Sequence, residues 1–383
     1  MYFDNASTSF PKPDSVCDAV DRWMRHGAAS AGRGSHQGAE EAARLVDSCR
    51  MQLASFIGLS KASQLVFTFN CTDSLNIVLQ GYLRPGDRVI ASAMDHNSVL
   101  RPLEMLTNEA GVKLTLIDFD PASGLLDEDE LVSHLNSEPT SLVVLTHASN
   151  VTGRIQPVRR LTELAHAAGA KVLLDAAQTV GHGDVDIMSL DVDFLAAAGH
   201  KGLLGPLGTG LLAIRNGLES SLRPLRYGGT GTASESLEQP EGMPSRFESG
   251  NMNLPGIAGL LAAVAWLTSP TSNDLQKTLH QQVRRLRTEL AGISGVRMLT
   301  PDVDDVVPLV TFTINNYDCR DVAMILDQSF NIQSRAGLHC APLAHQTLGT
   351  FDSGGGVRLS PGIFTTDEEI TAAIDAVRQI AIS

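Results

Sequence analysis

The run Lys171-Val-Leu-Leu-Asp175-Ala-Ala-Gln178 decides the fold when it is read together with Phe194-Leu-Ala-Ala-Ala198-Gly199-His200-Lys201-Gly202. Each begins as a short apolar stretch with no polar face, the mark of a strand buried on both sides. Each then breaks into small residues and delivers one charged side chain, an acid in the first and a lysine in the second. Working outward, the same texture recurs at Gln64–Phe69, Asp87–Ala91, Lys113–Asp118, Ser141–Thr146 and Gly210–Ile214. Helical patterns lie between these stretches. Ala39–Ile57 carries Leu45, Val46, Cys49, Leu53, Phe56 and Ile57 at helical spacing, and Val158–Ala168 stops at Gly169. Strands alternating with helices predict an α/β protein with a mostly parallel, seven-stranded sheet covered on both faces.

The stretch Tyr227–Pro255, rich in Gly, Ser, Glu and Pro, reads as a long functional loop ahead of a boundary. Beyond it the texture changes. Ile257–Leu267 and Leu275–Leu290 read as helices, Val306–Ile314 as a strand, Asp321–Ser329 as a helix and Gly356–Ser360 as a short strand. Thr366–Ile380 reads as a closing helix, capped by Thr365 or Thr366 with acids in its first turn. The expected division is a large domain over 15–255 and a smaller α+β domain made of 1–14 and 256–383.

Composition narrows the function classes. The 383 residues leave room for two or three domains, and 43% hydrophobic with 19% charged residues is a globular profile. With aromatics at 5%, the core must be aliphatic. Lys and Arg total 29 against 43 Asp and Glu, a net charge of −14, which argues against nucleic acid or an anionic membrane as main partner. The five cysteines, 17, 49, 71, 319 and 340, form no CxxC and no zinc spacing, so no metal or disulfide framework is expected. Free thiols, no leader-like start at MYFDNASTSF and no apolar run of membrane length predict a cytoplasmic protein.

In open α/β sheets, ligands bind at the carboxyl ends of strands. Taken alone, Asp175 reads as a turn or cap residue and Lys201 as a surface lysine. As a pair at neighbouring strand ends they match the needs of pyridoxal phosphate, a lysine for the Schiff base and a carboxylate for the pyridinium nitrogen. Phe67-Thr-Phe-Asn70-Cys71-Thr72-Asp73 runs from strand into helix, and the free N–H groups of such a helix start bind a phosphate. His96, in Asp95-His-Asn-Ser98, is placed to stack on a ring or shuttle protons. Asn150, closing His147-Ala-Ser-Asn150, is placed to donate to a phenolic oxygen.

The ordered set Asp4-Asn-Ala-Ser-Thr8, Asn70-Cys-Thr-Asp73, Asp95-His-Asn97, His147-Ala-Ser-Asn150, Asp175-Ala-Ala-Gln178, Gly199-His-Lys201, Phe247-Glu-Ser-Gly-Asn251 and Arg335-Ala-Gly-Leu-His-Cys340-Ala-Pro342 resembles the cysteine desulfurases. These are class V aminotransferase-like, fold-type I pyridoxal phosphate enzymes, and the likeness is to the SufS and selenocysteine-lyase-like branch. It spans nearly the whole chain. The resemblance implies Lys201 as the cofactor lysine, Asp175 at the ring nitrogen, and Gln178 and Asn150 near the phenolic oxygen. It implies His96 against the ring, and Cys71, Thr72 and His200 at the phosphate. Arg358 would clamp the substrate carboxylate, a task suited to a guanidinium, with Asn150 beside it. Cys340 would accept sulfur as a persulfide, with Arg335 and His339 favouring its thiolate. Two positions depart from the family pattern: Ala198 stands where a hydroxyl usually meets the phosphate, and Asn251 where a threonine usually reaches in from the neighbouring subunit.

The expected activity is therefore an L-cysteine desulfurase that releases alanine and passes sulfur to an acceptor protein, as in iron–sulfur cluster assembly. A homodimer is expected, with active sites near the interface. Selenocysteine lyase, or another C–S lyase of the same cofactor, is the alternative. A cofactor-binding protein without turnover is disfavoured by the intact Lys201, Asp175, His96, Arg358 and Cys340.

Overall fold

The computed structural model describes residues 1–27, 29–32 and 34–382. All seven strands expected in the first part of the chain form, within one or two residues of their sequence limits: β1 (Leu65–Thr68), β2 (Arg88–Ser92), β3 (Lys113–Ile117), β4 (Leu142–Thr146), β5 (Lys171–Asp175), β6 (Phe194–Ala198) and β7 (Gly210–Ile214). They lie in one sheet in the order β1-β7-β6-β5-β4-β2-β3. Pairs β6/β5, β5/β4, β4/β2 and β2/β3 are parallel, while β7 is antiparallel to both neighbours.

Strand period sorts the core into two layers. Val143, Leu145, Val172, Leu174, Leu195 and Leu211 face one side, with the helices Gln37–Phe56 and Leu254–Leu267. Leu142, Val144, Leu173, Phe194, Ala196 and Leu212 face the other, with Cys71–Tyr82 and Asn97–Ala110. Successive residues alternate between faces, and both faces are apolar, which is why the strands show no polar alternation. Parallel strands put Ser92, Thr146, Asp175 and Ala198 at one edge of the sheet, where a crevice forms.

No helix or strand spans residues 222–253, the stretch expected as a long loop. A second, antiparallel sheet follows, ordered β10-β11-β9-β8, from β8 (Val296–Met298), β9 (Val310–Ile314), β10 (Arg335–Gly337) and β11 (Gly356–Leu359). The helices Pro270–Ala291, Cys319–Phe330 and Asp367–Ala381 pack their apolar sides around it. The N-terminus joins this sheet: the Phe3 N–H donates to Gln333 O (2.8 Å), the Ser360 N–H donates to Phe3 O (2.7 Å), and Phe3 is fully buried in the smaller core. No single helix among the described residues is long and apolar enough to cross a membrane.

Candidate active site

Asp175 ends β5 and is 6% exposed. Its Oδ1 accepts from the Ala177 N–H (3.0 Å) and from the Cys71 thiol (3.5 Å). Both contacts fall on one oxygen, which leaves Oδ2 for a ligand. Lys201 stands three residues beyond β6 in a loop that only glycine permits. A Cβ on Gly199 would lie 2.2 Å from Thr209 Oγ1, and one on Gly202 would lie 2.6 Å from Val180 O. Burial lowers the Lys201 pKa, and the nearby Asp175 carboxylate opposes that shift. The result is an amine that deprotonates more easily than a surface lysine.

A single cleft is lined by Cys71, Thr72, His96, Asn150, Asp175, Gln178, Ala198, His200 and Lys201, so most of the expected site residues are brought together. At one end lies the start of the helix Cys71–Tyr82, where Asn70 Oδ1 accepts the Asp73 N–H (2.9 Å) as N-cap. Among the described residues, the N–H groups of Cys71 and Thr72 find no protein acceptor, and the Nδ1 of His200 is buried without a partner. Asp73 turns away to Arg226 (2.8 Å), so no carboxylate of the first turn opposes an anion here. Unpaired donors at a helix start fit a phosphate, and Oδ2 of Asp175 with Lys201 at the other end fits a pyridinium aldehyde.

His96 caps the helix Asn97–Ala110. Its Nδ1 accepts the Ser98 N–H (3.0 Å), so a neutral ring carries its proton on Nε2. Burial pushes its pKa down to about 4, which keeps the ring neutral. Behind it Asp95, fully buried, is held by Ser92 N–H (2.6 Å), Ser92 Oγ and Thr146 Oγ1, and burial raises its pKa to about 6.

Cys340 stands outside the cleft wall, on a loop tied back to it. The Asn97 N–H donates to Cys340 O (2.7 Å), and Asn150 Nδ2 donates to His339 O (2.6 Å). One amide hydrogen of Asn150 is thus spent on this loop, and one of Gln178 on Ala6 O (3.1 Å), leaving each a single donor for a phenolic oxygen. His339 and Cys340 adopt left-handed backbone, φ 50° and 58°, which a side-chain-bearing residue adopts only when its surroundings impose it. Arg335 Nη2 lies 3.7 Å from Cys340 Sγ.

The expected help of His339 is corrected. It is 3% exposed, stacks on His345, and burial drives its pKa well below the usual histidine range. A neutral ring gives Cys340 no charge; that task falls to Arg335.

Arg358, on β11, is 1% exposed. Its Nη1 donates to Asn150 O (3.0 Å) and its Nη2 to Asp4 Oδ1 (3.0 Å) and Ser7 Oγ (2.9 Å), while Nε is buried without a partner. Asp4 and Ser7 were visible in the sequence only as part of an N-terminal motif. Their partners lie more than 300 positions away, a pairing that no local pattern carries. Asn251 lies apart from the cleft, in a separate hollow with Phe67, Phe69, Arg226 and Glu248.

Comparison with known proteins agrees with this geometry. The family Aminotransferase class-V matches residues 1–372. A probable cysteine desulfurase of Methanothermobacter thermautotrophicus is 35% identical, over 100% of this chain and 94% of its own length. A cysteine desulfurase of Escherichia coli is 32% identical, over 99% of this chain and 93% of its own. The apo structure of the cysteine desulfurase of Thermococcus onnurineus superposes with a TM-score of 0.92 at 31% identity, covering 100% of this chain and 94% of that one. Enzymes of this class generally depend on pyridoxal phosphate. With the family model spanning almost the whole sequence and full-length relatives above 30% identity, the chain belongs to the class-V aminotransferase family, among its cysteine desulfurases.

Proposed function

We propose that this protein is a pyridoxal-phosphate-dependent L-cysteine desulfurase that forms alanine and holds the released sulfur as a persulfide on Cys340. The observation that carries the reading is the position of Cys340. Its loop is fixed to the residue after His96, a lining residue of the cleft that holds Lys201 and Asp175, and its thiol is faced by Arg335.

The N–H groups of Cys71 and Thr72, the Thr72 hydroxyl and His200 would hold the phosphate; Asp175 Oδ2 would meet the ring nitrogen; Gln178 and Asn150 would face the phenolic oxygen; and His96 would lie against the ring. Bound there, pyridoxal phosphate supplies the electron sink for a carbanion at the substrate α-carbon. Arg358 holds the substrate carboxylate and sets which bond faces Lys201. Lys201 Nζ would take the α-proton, and burial, which lowers its pKa, makes it give up its own proton more readily than a surface lysine. Cys340 Sγ, as thiolate, attacks the substrate sulfur. An S–S bond forms, the Cβ–S bond breaks, and proton return to carbon completes alanine. The sulfur then passes to an acceptor, iron–sulfur assembly being one consumer, in a cytoplasmic setting suited to free thiols.

We further propose that 15–255 form the cofactor domain and 1–14 with 256–383 the other. The helix Leu254–Leu267 connects them, since it packs in the larger core while the next helix packs in the smaller. A two-fold homodimer is proposed because Phe69, Leu207 and Tyr227 are 54%, 65% and 69% exposed, and Asn251 does not reach its own cleft. The reaction is tested by supplying pyridoxal phosphate, reducing with borohydride and mapping the pyridoxyl group. The group is expected on the Lys201 peptide, with alanine formation from cysteine absent in Lys201→Ala. Label on another lysine, or alanine formed by the variant, overturns the reading.

A further inference from the structure

Two arginines of the second sheet meet at one hydroxyl of the N-terminal segment. Ser7 Oγ accepts from Arg335 Nη1 (2.7 Å) and from Arg358 Nη2 (2.9 Å), and donates to Asp4 Oδ1 (2.7 Å). A serine hydroxyl has one proton and two lone pairs, so all its capacity is used at once. Asp4 Oδ1 also takes Arg358 Nη2 at 3.0 Å. The arginines face different targets. Arg335 turns its other amino group to Cys340 Sγ, while Arg358 reaches Asn150 O and keeps Nε unpaired. The two arginines oppose each other across the pair of β10 and β11, in direct register. Like charges so placed repel, and Asp4 is the carboxylate bonded to Arg358. Ser7 is what lets Arg335 share that anchor.

We propose that Ser7 is a positioning residue that joins the substrate-clamping arginine to the arginine facing the sulfur-accepting cysteine. It fixes the guanidinium of Arg335 on Cys340 without being needed to hold Arg358. The asymmetry follows from partners: Arg358 keeps Asp4 and Asn150 if Ser7 loses its hydroxyl, whereas the Arg335 guanidinium is left, among the described residues, with only its contact to Cys340 itself. The inference rests on the reading of Cys340 and Arg358 given above.

The test compares wild type, Ser7→Ala and Ser7→Thr. Two readouts are taken: alanine formation from cysteine by the holoenzyme, and iodoacetamide trapping of Cys340, followed by peptide mass spectrometry, in the full chain without pyridoxal phosphate. Ser7→Ala is expected to lower kcat and the Cys340 trapping rate by roughly three- to tenfold, the range for one lost hydrogen bond, and to change KM for cysteine by less than about twofold. Ser7→Thr restores both. Wild-type trapping and kcat in Ser7→Ala overturn the proposal, as does a rise in KM with no rescue by threonine, which marks a structural role. Trapping that depends on Ser7 in a protein with no alanine formation supports the coupling and overturns the desulfurase reading instead.

Discussion

Asp175 shows how much of the chemistry rests on the placement of single atoms. One oxygen is saturated by Ala177 N–H and Cys71 Sγ, so the carboxylate cannot swing and the other oxygen is aimed by default. Cys71 can play this part because burial and the neighbouring Asp175 charge hold its pKa well above the usual thiol range, keeping it a donor. Asp175→Asn keeps shape and removes the counter-charge to a protonated ring nitrogen. Alanine formation from cysteine is expected to fall on the order of a hundredfold or more, the scale for losing a preorganised electrostatic partner, while pyridoxyl trapping on Lys201 persists. Steady-state assay and peptide mapping check this; activity within tenfold of wild type contradicts the assigned role. Asp175, Cys71, Thr72 and His96 stood out as candidates in the sequence because they end a strand or open a helix. The hydrogen-bond partners within the site did not. The ties of Asn150 to His339 O, and of Arg358 to Asp4 and Ser7, span 189, 354 and 351 positions.

At the scale of elements, the phosphate end depends on where one helix begins. Asn70 sits in extended backbone, caps Asp73, and leaves the next two N–H groups open to the cleft. Asn70→Ala is expected to cost about 1 kcal/mol of stability and to weaken pyridoxal phosphate binding, and Asn70→Ser, which still caps, to recover both. Thermal melts and fluorescence titration of the cofactor decide; binding unchanged in Asn70→Ala contradicts the role given to this helix start. The seven strands of the first sheet could be read because they are apolar on both faces and bounded by turn residues. β8 and β10 could not. Each has three residues, Val296-Arg-Met and Arg335-Ala-Gly, too few to show a period, and neither lies wholly in a core. The helix Asp14–His26 was also missed, since Val16 is its only buried residue.

For the whole molecule, buried histidines set the response to acid. His96, His147, His182, His200 and His345 are each pushed down to about 4 by burial, and burial also holds His339 well below the usual histidine range. The unfolded chain binds these protons near pH 6.5, the folded chain only near 4, so stability present above 6.5 is lost as pH falls through that window. Asp95, raised to about 6, and Glu248, raised by burial, act oppositely: each favours the folded state as pH falls toward its ordinary value, but they are two carboxyl groups against six rings. The cofactor-free chain is therefore expected to melt lower at pH 5 than at pH 7.5; an equal or higher Tm contradicts the assignment of neutral buried rings. The exposed Phe69, Leu207 and Tyr227 predict a dimer that Leu207→Asp weakens, read by sedimentation; a fully active wild-type monomer contradicts it. Cys340 is where substrate sulfur would leave the cleft. The measurement that bears on it most directly is anaerobic incubation with cysteine without reductant, quantifying alanine and the mass of the Cys340 peptide together. One added sulfur on that peptide per first-turnover alanine is predicted, with Cys340→Ala retaining pyridoxal phosphate and losing most alanine formation. Undiminished alanine formation in Cys340→Ala, with no sulfur on the wild-type peptide, would contradict the account and make the protein a simple lyase.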